Sequence, residues 1–202
     1  MRIAYAVLSY PGVISDELVP TILSDFIFCA ENGHEFAYFR VDAQPVDRAR
    51  NIALAKAREA GCERILMLDR DVWAAPEKSA LEALMASMDD TDAAAVAAVV
   101  VCRDGAKVNV DPVMPHEIYE ANKVGAAMLL IDIGKLDNAH CENHVWFCYD
   151  GASGEVAQGE DVFFSREVKD AGLKLVANFQ IPTRHMGMVP LSLESYLRSS
   201  QQ

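Results

Sequence analysis

Four short apolar runs, separated by three helix-length amphipathic segments, constrain the first hundred residues more than any other feature of the sequence. Residues 3–8 form a continuous β-prone run, and residues 18–31 then place Leu18, Ile22, Leu23, Phe26, Ile27 and Ala30 at helical spacing, stopped by Asn32-Gly33. Residues 34–41 read as a second strand and 46–60 as an Ala- and Arg-rich helix closed by Gly61. Residues 64–68 are a third, fully apolar strand that runs into Asp69. Pro76 marks the start of a third helix reaching about residue 88, and 93–101 is a fourth strand. Alternation of this kind predicts an α/β chain, with a mostly parallel central sheet flanked by helices on both faces.

The second half breaks the rhythm. Residues 103–115 read as a hairpin or irregular crossover with Asp104-Gly105 as its turn signal. An apolar strand over 125–133 and a short helix over 133–140 follow, then a short aromatic strand over 145–149 and a polar, Gly-containing loop over 150–159. A helix over 160–171 opens with two acids and closes at Gly172, leading to a last buried strand over 173–177, the segment 182–187 and a helix-like tail. With no repeat, low-complexity tract or linker, the 202 residues are expected to form one domain, 1–202.

Eighteen basic against thirty acidic residues leave a net charge of −12, which argues against nucleic acid or an anionic membrane as a partner but allows a local basic pocket. The five cysteines are odd in number and scattered among apolar runs, as free thiols in a reducing compartment are. The N-terminal apolar run is too short for a signal segment, and the longest later one, 93–102, is half a membrane span. The expectation is a soluble, cytoplasmic protein with no membrane anchor; the sequence leaves its oligomeric state open.

Ligands of open α/β sheets bind beyond the carboxyl ends of the strands, so polar residues at strand exits are candidates for chemistry. Asp69-Arg70-Asp71 follows a run of buried aliphatics. In an extended segment both carboxylates point to one side, a hard-oxygen pair suited to Mg²⁺ or Mn²⁺ shared with a diphosphate. The same tripeptide is elsewhere a solvated turn or cap. Glu160-Asp161, after Gly159, reads either as acids favoured by a helix N-terminus or as a general base beside a loop-gated pocket. His185, beyond the last strand, reads either as a structural imidazole or as a further metal ligand.

In order and spacing these pieces resemble the GT-A fold glycosyltransferases, the nucleotide-sugar-dependent group with an Asp-x-Asp motif. The matching stretches are Arg50-Asn51, the strand 65–68 with Asp69-Arg70-Asp71, the segment 124–131, Gly159-Glu160-Asp161-Val162-Phe163-Phe164, the segment 171–175 and His185-Met186-Gly187. The resemblance implies a single Rossmann-like GT-A domain, 1–101 being the nucleotide-binding half and 102–202 the acceptor and catalytic half. It implies that Asp71, and less directly Asp69, bind a divalent ion on the donor diphosphate, with His185 as a third ligand. Asp161, with Glu160 beside it, would take the acceptor hydroxyl proton. Ser9, Tyr10 and Pro11 would hold the nucleobase, with Tyr10 stacking on it, and Asp42 would meet base or ribose. Arg50 and Asn51 would lie near the nucleotide, and Gly125 and Ala126 would floor the donor sugar. The implied cofactors are Mn²⁺ or Mg²⁺ and a nucleotide sugar, UDP-linked rather than GDP-linked, with a hydroxyl acceptor.

Two departures from that pattern are visible. A single acid, Asp42, stands after the second strand where an acidic pair is usual, and the chain is short, so the acceptor is small or another subunit or module completes its site. Residues 150–159 are a candidate lid, and Trp146 and Phe147 read as a sugar-facing wall or as core. Other readings stay open. His140, Cys141, His144 and Cys148 cluster as zinc ligands do, although the spacing fits no common finger. A sugar-phosphate nucleotidyltransferase would need a Gly-rich basic loop after the first strand; residues 10–14 hold one Gly and no base. A non-catalytic nucleotide-sugar-binding module, or glycosylation of hydroxylated bases in nucleic acid, completes the set.

Overall fold

The computed structural model describes residues 1–9, 14–75, 78–102, 107–139, 145–149, 159–186 and 190–193. Its first half alternates as expected: β1 (Arg2–Leu8), α1 (Leu18–Glu31), β2 (Glu35–Val41), α2 (Val46–Glu59), β3 (Arg64–Asp69), the short β4 (Val72–Ala74), α3 (Ala80–Thr91) and β5 (Ala95–Ala98). The second half adds β6 (Val110–Asp111), β7 (Ile118–Glu120), β8 (Lys123–Val124), β9 (Met128–Asp132), α4 (Ile133–Asn138), α5 (Glu160–Asp170), β10 (Leu175–Asn178), β11 (Thr183–Met186) and β12 (Pro190–Ser192).

Seven strands form the central sheet in the order β2-β1-β3-β9-β5-β10-β7. The strands β1, β2, β3, β5 and β10 run one way, while β9 lies antiparallel between β3 and β5, and β7 antiparallel to β10. The sheet is therefore mostly parallel and flanked by helices. Along Met128–Ile131 every residue is buried, as a strand covered on both faces requires. On one face Ile3, Tyr5 and Val7 pack with Leu18 and Cys29 of α1 and Leu81 and Leu84 of α3. On the other, Ala49, Ala53 and Ala57 sit one turn apart along α2, so that helix meets Ala4 and Ala6 of β1 at close range. Among the described residues no helix is long and apolar enough to cross a membrane.

Several expectations need correction. The fourth strand is shorter than 93–101, because Val99–Val101 leave the sheet and Val101 instead bridges Val108. Residues 145–149 are not a strand. Their aromatic content reflects burial rather than pairing: Trp146 and Phe147 belong to the core, and Phe147 stacks on Phe164 at 4.6 Å. A second sheet, β12-β11-β4, was not expected from the sequence; its strands are too short to show a period. The third helix begins at Ala80, where the Ser79 hydroxyl accepts from the Glu82 amide at 3.0 Å. Pro76, the Asp104-Gly105 turn, most of the cysteine–histidine cluster (140–144), the loop 150–158 and the tail 194–202 lie outside the described residues.

That helix start is tied to α1 by a buried carboxylate. Asp25 accepts from the Tyr5 hydroxyl at 3.0 Å, the Ser79 hydroxyl at 2.7 Å and the Leu81 amide at 3.0 Å. Burial raises its pKa above the ordinary carboxylate value despite these donors, and burial, with the Asp25 charge, raises that of Tyr5. Asp25→Ala strands three donors and is expected to cost about 3 kcal/mol in urea unfolding, whereas Asp25→Asn, which keeps an acceptor and the shape, costs less.

Candidate active site

The parallel strands β1, β2 and β3 end at one edge of the sheet, where a cleft of about 760 Å³ opens between their exits and the start of α2. Ser9, Val41, Pro45 and Ala49 line one side; Asp69, Asp71 and Tyr149 reach it from β3 and from the segment before the 150–158 loop.

Asp69 and Asp71 both reach the cleft but keep different partners. The chain turns at Arg70 and Asp71, so strand alternation stops at Asp69 and the two carboxylates meet different partners. Asp69 faces α2, where Arg50 Nη2 lies 3.1 Å from its Oδ1. Arg50 Nε also donates to Glu160 at 3.2 Å and Nη1 to the Ala126 carbonyl at 2.8 Å. This guanidinium, 2% exposed, joins α2, the β3 exit, the β8–β9 link and the first turn of α5. Burial lowers its pKa, and Asp69 and Glu160 more than offset that, so it stays charged. Burial raises Asp69 to about 6; Arg50 opposes the shift, while Asp71 and Glu160 add to it.

Asp71 is brought to His185 by strand pairing. β4 and β11 run antiparallel, the Met186 amide donates to the Asp71 carbonyl at 2.8 Å, and His185 Nε2 stands 3.6 Å from Asp71 Oδ2. His185 Nδ1 lies 2.8 Å from the Val101 carbonyl, an acceptor, so in the neutral ring the proton sits on Nδ1 and Nε2 keeps its lone pair toward Asp71. Two donors about 2.1 Å from one small divalent ion stand no more than ~4.2 Å apart, so this pair fits such an ion, with waters or phosphate oxygens completing its shell. Among the described residues no group of three or more His, Cys, Asp or Glu is placed to hold a metal.

The other expected site residues separate into two groups. Ser9 is fully buried; its hydroxyl donates to Asp42, and Arg40 Nε donates to the Ser9 hydroxyl at 2.9 Å. The Ser9 hydrogen bond, with help from Arg40, holds Asp42 below the usual carboxylate range. Tyr10 and Pro11 lie outside the described residues. Asn51 commits its amide to the backbone of Phe147, donating to the carbonyl at 2.7 Å and accepting from the amide at 3.3 Å. The Gly125 amide donates to the Asn109 carbonyl, and a Cβ at Gly125 would overlap the Asn109 side chain, so glycine permits this approach. Ala126 is buried and contributes its carbonyl to Arg50.

Glu160 and Asp161 occupy the first turn of α5. Glu160 is held by Arg50, whereas Asp161 is partly exposed and folds back so that its Oδ1 accepts from the Val162 amide at 2.8 Å. A Cβ at Gly159 would come within 2.7 Å of that oxygen, so a larger residue there would require the Asp161 side chain to shift. Sequence reasoning did not single out Tyr149, whose hydroxyl donates to Glu160 and whose pKa is pushed up to about 12, first by burial and then by the Glu160 charge. Nothing in the sequence distinguishes it from the neighbouring core aromatics.

No protein-family model matches the chain, and no curated protein matches its sequence. Solved structures do. A197 from STIV matches with a TM-score of 0.60 at 18% identity, over 92% of this chain and 86% of that one. UDP-glucose pyrophosphorylase complexed with UDP-glucose matches with a TM-score of 0.52 at 10% identity, over 99% of this chain and 97% of that one. A mutant of Drosophila β1,4-galactosyltransferase 7 with manganese, UDP-Gal and xylobiose matches with a TM-score of 0.47 at 15% identity, over 89% of this chain and 66% of that one. These likenesses are of fold: the chain shares the α/β architecture of A197 and of that UDP-glucose pyrophosphorylase.

Two outcomes follow for the buried network. Arg50→Met leaves Asp69 and Glu160 without their cation and is expected to cost about 3–5 kcal/mol in denaturant unfolding. Unfolded Asp titrates near pH 4, so the folded chain keeps the Asp69 proton between there and about 6. The contribution of Asp69 to stability is therefore full below pH ~4 and lost as pH rises through about 6. Carboxylate NMR should place its midpoint near 6, and higher still in Arg50→Met.

Proposed function

We propose that the chain is a metal-dependent glycosyltransferase that moves a sugar from a nucleoside-diphosphate sugar, UDP-linked in the first instance, to a hydroxyl acceptor. The observation that carries this reading is the placement of Asp71 and His185, 3.6 Å apart on paired strands beside the cleft where β1, β2 and β3 end. In this reading residues 1–101 bind the nucleotide and 102–202 supply the acceptor side.

Asp71 and His185 would hold Mn²⁺ or Mg²⁺, which when bound neutralises charge developing on the departing diphosphate. The apolar wall of Val41, Pro45 and Ala49, with Ser9 and Asp42 at its rim, is where base and ribose would lie. Glu160 is tied to Arg50 and Tyr149, so it positions the start of α5, and Asp161 takes the proton from the acceptor hydroxyl as that oxygen attacks the anomeric carbon. A second reading, sugar-phosphate nucleotidyl transfer, has support in the fold shared with UDP-glucose pyrophosphorylase, but the sequence lacks a Gly-rich basic loop after β1.

A panel of nucleotide sugars with Mn²⁺, scored for free nucleoside diphosphate, tests the proposal. Release from one donor is expected; formation of pyrophosphate from a nucleoside triphosphate and a sugar phosphate would overturn it, as would saturable binding without any release. Asp71→Ala is expected to abolish the Mn²⁺-dependent part of donor affinity measured by calorimetry. Asp161→Asn is expected to keep donor binding and lose transfer about 10²–10⁴-fold.

A further inference from the structure

The helix α1 is apolar around most of its circumference. Leu18, Asp25 and Cys29 face the core, yet Val19, Leu23, Phe26 and Ile27 stand 55, 54, 48 and 45% exposed. Asp25 and Glu31 are its charged residues, and Asp25 is buried. A helix apolar on both sides is one that is covered on both sides. The outward residues Val19, Leu23, Phe26 and Ala30 recur at steps of four, three and four, and fall within about 60° at 100° per residue. That is the seam of a helix packed along another helix.

Beside the seam lies a groove of about 490 Å³ between α1 and β2, the edge strand of the main sheet, lined by Val19, Ile22, Leu23, Phe26, Phe36 and Tyr38. Its floor is fixed by ring packing: Phe36 meets Phe26 edge-on at 5.5 Å and Tyr5 at 5.0 Å. Ile27 stands outside the groove as a ridge on the same helix. A face carrying both ridge and groove can be complementary to itself, which is the requirement of a two-fold contact.

We propose that this face joins two copies of the chain in a two-fold dimer, with the α1 helices packed on one another. The area agrees. Five half-exposed side chains (Val19, Leu23, Phe26, Ile27, Tyr38) leave roughly 80 Å² each, or about 400 Å² of apolar surface. At the ~60% apolar share of such contacts the face covers about 650 Å² per copy, and ~1,300 Å² for the pair lies within the range of stable dimers. Charge agrees as well. On a chain of net charge −12, an uncharged face lets two like-charged copies approach with least repulsion, while the same net charge opposes an anionic lipid surface.

Sedimentation equilibrium of the full chain is expected to give twice 22.2 kDa, with a melting temperature that rises with concentration. Leu23→Glu combined with Phe26→Glu should raise the dimer dissociation constant at least about a hundredfold, since each substitution enters the contact twice, without loss of helical circular dichroism. Ile27→Lys, further from the core, serves as the independent variant should the double one misfold. A wild-type mass of 22.2 kDa at every concentration overturns the proposal, as does a dimer that persists in both variants. Monomeric chain that floats with neutral phosphatidylcholine vesicles also overturns it, by showing that lipid is what this face meets.

Discussion

Arg50 carries its charge into a place where water does not reach, and much of the site is arranged around that fact. Three of its nitrogens are engaged: one by a carboxylate from a strand exit, one by a carboxylate from a helix start, one by a main-chain carbonyl. Each partner comes from a different part of the chain, so the guanidinium fixes the relative positions of α2, β3 and α5 as firmly as any hydrophobic contact. A buried ion pair of this kind adds little net stability over an apolar replacement of equal shape. Its effect here is geometric. Glu160 is immobilised at the start of α5, and Asp69 is held where β3 ends, two residues before Asp71.

The same arrangement explains why the two carboxylates of the Asp-Arg-Asp segment differ. Burial, and then the neighbouring acids Asp71 and Glu160, raise the affinity of Asp69 for a proton against the opposing pull of Arg50. Asp71 is beyond the turn, paired through its backbone with Met186 and through its side chain with an imidazole oriented by the Val101 carbonyl. Both carboxylates line the cleft, one beside a guanidinium and the other beside an imidazole. Three short antiparallel strands accomplish the second task by bringing the end of the chain back to the exit of β3.

Much of the fold was legible in the sequence because long apolar runs and amphipathic helices have strong periods: α1 spans residues 18–31 as expected, and α2 and β3 differ by about one residue at an end. The antiparallel direction of β9 was not legible, since a strand buried on both faces reads the same in either direction. Nor were β4, β6, β8 and β12, which are two or three residues long and too short to show alternation. At the site, Asp71 and His185 are expected together and stand 3.6 Å apart, whereas the Arg50–Asp69 contact is not announced by any local pattern. The expected extended backbone through Arg70 is replaced by a turn, although both carboxylates still line the one cleft. Tyr149 went unnoticed because its role depends on a long-range partner, Glu160, that no local pattern announces.

The insertion of β9 between β3 and β5 has a consequence for how the molecule is made. Its strand pairs join residues 64–68 and 95–97 to residues 128–132, so the middle of the sheet stays open until that later segment has left the ribosome. Until then two apolar strands, β3 and β5, present unpaired edges, the condition under which nascent chains associate wrongly. The first hundred residues therefore do not constitute a unit that can be detached and studied alone, whatever their internal regularity. A fragment that closes the sheet must include β9 and also β10, which pairs with the other edge of β5.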